Sequence, residues 1–142
     1  MKGQYITLEY LLFFAIGVGI IISTYYLFSN INQSFEKDTT EYQLKMVGEL
    51  ITGAAINILE ISNSTNSTVY YNLSIPTKLS RCVYSVRNIT NSLILSCVEI
   101  PEIKVNMTLY NFNIKTKNNI VIYSTSGLIK MKAKENGEVD LE

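Results

Sequence analysis

The chain has 142 residues, with 12 Lys/Arg against 12 Asp/Glu, 47% hydrophobic residues, ten Tyr, five Phe, two Pro, no Trp and no His. That length supports one domain of modest size plus whatever an N-terminal segment does, and the missing histidine excludes His-dependent catalysis and His metal sites. The zero net charge averages unlike parts: residues 68–134 hold nine Lys/Arg against Glu99 and Glu102, whereas residues 135–142 carry Glu135, Glu138, Asp140 and Glu142.

The first predicted element is an apolar helix. From Leu11 to Phe28 there is no charge, and Ser23, Thr24, Tyr25 and Tyr26 are the only polar side chains. Those 18 residues make roughly 27 Å of helix, enough to cross a bilayer. The run is longer than the core of a secretory signal and lacks an A-x-A end, so it is read as retained. Lys2 precedes it, while Glu36, Lys37 and Asp38 follow, which favours a cytoplasmic N-terminus and an external remainder. Gly17 and Gly19 either let helices approach closely or are incidental, since their spacing is not the four residues that share a face.

Lys2-Gly3-Gln4 in front of a Glu-containing apolar helix resembles the class III signal of archaeal type IV pilins. The resemblance covers about residues 2–30 and implies cleavage by a dedicated membrane peptidase that leaves the helix on the mature chain. Gly3 after Lys2 matches the rule of a small residue after a basic one, which puts the cut after Gly3. A cut after Gln4 instead restores the glutamate spacing usual in the family. The resemblance further implies that Glu9 pairs with the new N-terminal amine of a neighbouring subunit and sets axial register. A carboxylate is tolerable at the headgroup boundary but costly in a dry helical core without a partner. The plainer alternative is an acid that snorkels at the interface beside Tyr10. The start "KGQYITLEYLLFFAIG" is also similar to the ultraviolet-inducible pilins of Sulfolobus-like thermoacidophiles, whose pili mediate cell aggregation.

Beyond Phe28, apolar residues recur at helical spacing: Ile31, Phe35, Tyr42, Met46, Leu50, Ala54, Ile58 and Ile61, with no proline before Pro76. One helix is therefore expected over residues 4–60, and this stripe is expected to pack on the chain's own head. An autonomous coiled coil is the competing reading, opposed by Gly48, Gly53 and the lack of a sustained heptad. Residues 61–67, with "NSTNST", read as an exposed, glycosylated loop.

From Thr68 the period becomes two, which predicts an antiparallel, sandwich-like β head over residues 68–134 with about six strands. The fold class is thus α+β. A hairpin turning at Ile89-Thr90 would place Cys82 opposite Cys97, Tyr84 opposite Leu95 and Val86 opposite Leu93, all on one face. That predicts a Cys82–Cys97 disulfide, as suits an oxidising exterior; two reduced buried thiols are the alternative. Residues 135–142 read as a mobile acidic tail.

Six N-x-S/T sequons occur, at Asn32, Asn63, Asn66, Asn72, Asn88 and Asn106. Chance placement would give about 2.5 from this composition, so glycosylation is expected at all but Asn32, which lies too near the membrane. The bland reading is a liking for Asn, Ser and Thr at turns.

These features imply a processed, filament-forming pilin subunit that is a membrane protein first and an extracellular surface filament afterwards. Its partners would be copies of itself or a second pilin, the prepilin peptidase, an assembly ATPase and a membrane platform protein. The pilin resemblance also implies adhesion, with surface glycans of neighbouring cells as ligands and Tyr70, Tyr71, Tyr84, Tyr110 and Tyr123 as stacking faces; half-buried strand packing is the other role for those tyrosines. The competing class is a monotopic β-domain protein that stays anchored, such as an archaellum stator-like component or an envelope tether. Direct nucleic-acid binding is not expected, because the lysines are scattered and no RNA- or DNA-binding signature is present. Nor is catalysis: no nucleophile and base can be nominated, and no cofactor beyond N-linked glycans is implied.

Overall fold

The computed structural model describes residues 2–89, 92–109, 113–116, 121–134 and 138–142, with side chains at all of these except 2–7 and 113–116. The chain divides into two units, Met1–Lys37 and Asp38–Glu142. A single helix, α1, spans Lys2–Thr65. It runs past the expected boundary at residue 60, because the hydroxyls of its last turn bond back to the helix instead of opening a loop. Ser64 Oγ and Thr65 Oγ1 donate to the Ile61 carbonyl at 3.0 and 2.7 Å. Asn66 then takes φ 51°, and the Ser67 N–H donates to the Ser62 carbonyl at 3.2 Å, the six-to-one bond of a Schellman end with Asn in the glycine position. The expected loop over 61–67 shrinks accordingly to residues 66–68.

In the first unit the described side chains form no core. Leu11, Phe13, Phe14, Ile21, Tyr25 and Phe28 are all exposed, as are Leu8 and Glu9. This is the one helix among the described residues apolar and long enough to cross a membrane.

The second unit holds α1 from Asp38 together with eight strands: β1 Val69–Ser74, β2 Tyr84–Ile89, β3 Ser92–Cys97, β4 Lys104–Thr108, β5 Asn113–Thr116, β6 Ile122–Tyr123, β7 Leu128–Ala133 and β8 Glu138–Leu141. They form two four-stranded sheets, ordered β1-β7-β8-β5 and β4-β3-β2-β6. All pairings are antiparallel except β5 with β8, which run parallel. Alternation puts Leu73, Ile129, Met131, Val139 and Leu141 of one sheet and Tyr84, Val86, Leu93, Leu95 and Cys97 of the other into a single core.

The helix contributes Leu44, Val47, Ile51, Ala55 and Ile58 to that core, all buried. This corrects the expected stripe: Tyr42, Met46, Leu50 and Ile61 are exposed, and of that set only Ile58 is buried, with Ala54 packed at the margin. The reason is that this half of α1 is apolar on two faces, both at steps of three and four, and fit to the sheets selects one. Gly48 shows the selection: a Cβ there would lie 2.9 Å from Met107 Cγ and 3.2 Å from Leu95 Cδ1, so only glycine allows this approach to β3 and β4.

The acidic C-terminal segment is also corrected. It is no tail: β8 lies between β7 and β5, with Val139 and Leu141 fully buried. Lys134 Nζ meets Asp140 at 2.7 Å, and Asp140 holds the Lys134 ammonium above its ordinary pKa. The charges thus alternate outward from a strand whose buried members number two.

Candidate assembly surface and glycan sites

The disulfide forms as expected, Cys82 to Cys97 with a Cα–Cα separation of 5.7 Å and both residues buried. The hairpin register differs by two residues from the expected one. Tyr84 faces Cys97, Val86 faces Leu95 and Asn88 faces Leu93, with Ile89 opposite Ser92; Thr90, in the expected turn, lies outside the described residues. A shift of two preserves which face each side chain occupies, so the cysteines stay on one side. Cys82 sits just before β2, held by paired backbone bonds with Leu79 at 2.9 and 2.8 Å. Beside the disulfide, Glu99 Oε2 accepts the Val83 N–H at 2.9 Å, a tie that no sequence pattern marked.

Of the two roles open to it, Tyr84 takes packing. It is fully buried and its hydroxyl donates to the Pro76 carbonyl at 2.7 Å; burial pushes its pKa up to about 12. Its N–H donates to Ser124 Oγ, which itself donates to the Thr77 carbonyl at 2.7 Å, so the segment after β1 is stitched to β2 and to the turn after β6. Strand position explains this, because Tyr84 shares the inward parity of Val86. Tyr70, Tyr71 and Tyr123 are exposed to 72%, 46% and 50%, and Lys132 Nζ sits 5.3 Å from the Tyr70 ring centroid. Tyr110 lies outside the described residues. These tyrosines do not converge on one face: Tyr70 is on the outer side of β1, Tyr71 on the inner side, and Tyr123 on the other sheet.

The sequon asparagines separate by environment. Asn63 is exposed on the last turn of α1, Asn66 on its cap, Asn72 on β1, Asn106 on β4, and Asn32 on the first unit. Asn88 was expected at an open hairpin tip, but it points to the inner side of β2, half-buried, with Oδ1 out of contact with solvent. Asn88 is thus the least open of the described sequon asparagines.

The surface that remains is apolar and belongs to α1. Outside the core-facing stripe, Tyr42, Met46, Leu50, Ile56 and Ile61 are exposed to 64%, 54%, 47%, 41% and 50%. Gly53 lies in the same stretch, and a Cβ there would meet nothing within 4 Å. Lys2, Gly3 and Gln4 are described only as helical backbone, so their side chains, with the cleavage rule they suggest, lie outside the described residues. Comparison with family models, with curated proteins and with solved structures returned no match. A long apolar helix followed in the chain by a two-sheet domain with a disulfide is the order of elements that a pilin would have, and the helix is compatible with membrane anchoring.

Proposed function

We propose that this chain is a structural subunit of an archaeal type IV pilus-like filament, which leaves the membrane and polymerises through α1. The observation that carries the reading is the apolar face of α1 within the head unit, where Tyr42, Met46, Leu50 and Ile61 stand uncovered beyond the length a bilayer requires. A membrane anchor needs only the segment up to Phe28. A subunit that exchanges lipid for copies of itself has a use for the second stretch too, because large apolar side chains left uncovered there favour association. In that assembly Glu9 leaves the headgroup region for a dry interior and takes the processed N-terminal amine of a neighbour as its partner.

Processing at Gly3 or Gln4 by a prepilin peptidase, extrusion by an assembly ATPase and platform protein, and N-glycosylated heads engaged in adhesion or cell aggregation complete the proposal. The anchored monotopic alternative rests on the span alone. Mass spectrometry of the mature N-terminus, made on sheared extracellular fibres and on the membrane fraction, separates the two. The filament reading expects a chain lacking Met1 to Gly3 or Gln4 in the fibres; an uncut chain confined to membranes ends it.

A further inference from the structure

Among the described residues the head has four sheet edges, and they are not alike. β6 has two residues and β5 has four, including Lys115, both short enough to be poor templates for a further strand. β1 and β4 have six and five residues, and among the described residues neither carries a second neighbour. β1 reads Val-Tyr-Tyr-Asn-Leu-Ser, without charge, proline or glycine, the composition of a segment prone to intermolecular pairing. Each of these two long edges carries one exposed sequon asparagine in mid-strand, Asn72 on β1 and Asn106 on β4. The third sequon within a strand, Asn88, lies on the interior strand β2 and is half-buried.

We infer that Asn72 and Asn106 are glycosylated and that their glycans guard the two long sheet edges against strand addition. Asn72 shares the outer face of its sheet with exposed Tyr70 and Ser74, and Asn106 with exposed Lys104 and Thr108. An added strand would lie about 4.8 Å beyond the edge, within the sweep of a sugar attached to either asparagine. Beside β4 the space is shaped as well: a groove of about 530 Å³ lies between α1 and the edge, lined by Tyr42, Lys45, Asn106 and Met107 among others. A glycan on Asn106 lying in that groove meets an aromatic ring and an ammonium, and excludes a peptide from the same slot. Met46, Leu50 and Ile61 lie outside that groove and remain for subunit packing, so the glycans direct association away from the sheets.

The inference rests on the glycosylation in the proposed function, and the test tells their failures apart. The full chain, made in an N-glycosylating archaeal host and held in detergent, is compared with the double variant Ser74→Ala/Thr108→Val, which removes both sequon hydroxyls and keeps the asparagines. Asn63→Gln, off the sheets, is the control. Glycopeptide mass spectrometry should find sugar on Asn72 and Asn106. The double variant, with its disulfide intact, should aggregate at least tenfold faster by light scattering, its β1 and β4 amides becoming protected from hydrogen exchange; the control should keep the parent rate. Bare asparagines at 72 and 106 overturn the inference together with head glycosylation at those positions. Occupied asparagines whose loss leaves the aggregation rate unchanged overturn the edge role alone.

Discussion

Between Thr40 and Ser62, α1 carries two sets of apolar residues with opposite fates, the outer one interspersed with Glu41, Lys45, Glu49 and Glu60. One face, Leu44, Val47, Ile51, Ala55 and Ile58, is sealed in the core, and the other, Tyr42, Met46, Leu50 and Ile61, is open. The difference teaches that an amphipathic pattern locates a helix without saying how many partners it has. A helix apolar on two sides has one face for its own head and one left over.

The sharpest way to break this comparison is a pair of truncations one residue apart. Ile51→Ala empties a fully buried position and should cost about 3 kcal/mol in chemical denaturation of the detergent-held chain. Leu50→Ala, half exposed, should change stability by under about 0.5 kcal/mol, yet it should reduce the yield of sheared fibres. Equal stability losses would mean that the two faces had been wrongly told apart.

Reducing the Cys82–Cys97 bridge, or replacing both cysteines with Ala, should lower stability by about 3 kcal/mol, since the bridge closes a loop of 15 residues. Denaturant midpoints with and without reductant measure it.

Tyr84 supplies an alkaline signature of the inner face. Its folded pKa lies above the unfolded value of 10.0, at about 12, because burial disfavours the phenolate. Its contribution is therefore complete below pH 10.0 and is lost as pH rises through about 12, a fall of about 2–3 kcal/mol. Tyr84→Phe should flatten that part of the pH profile, while costing about 1 kcal/mol at neutral pH by stranding the Pro76 carbonyl.

The two helix glycines test the comparison by sign. Gly48→Leu forces atoms into Met107 and Leu95 and should destabilise by about 2 kcal/mol. Gly53→Ala meets open space and should stabilise the unassembled chain by about 0.5–1 kcal/mol through helix propensity. Thermal unfolding of the two variants gives opposite signs if the faces are as described.

Local pattern was enough for much of this. The unbroken apolar run read as a helix, and the stretch from Thr68 read as strands, because periods of 3.6 and two are written in consecutive residues. The strand β8 was hidden, since four acids in eight residues mask two buried apolar ones, and only pairing on both sides makes Val139 and Leu141 interior. The role of Tyr84 stayed open for a similar reason: tyrosine suits a wet surface or a satisfied core, and the Pro76 carbonyl that decides between them lies across a loop.

Sequence alone determined the α+β class, the exposed apolar span and the joining of Cys82 to Cys97. The last survived a register error of two because side-chain parity in a strand repeats every two residues. Tertiary structure alone decided which face of α1 is inside, that Asn88 is half-buried on an interior strand while Asn72 and Asn106 stand on open edges, and that the acidic end is an interior strand. Those outcomes depend on contacts between residues far apart in the chain, such as Gly48 against Met107, and no local period encodes them.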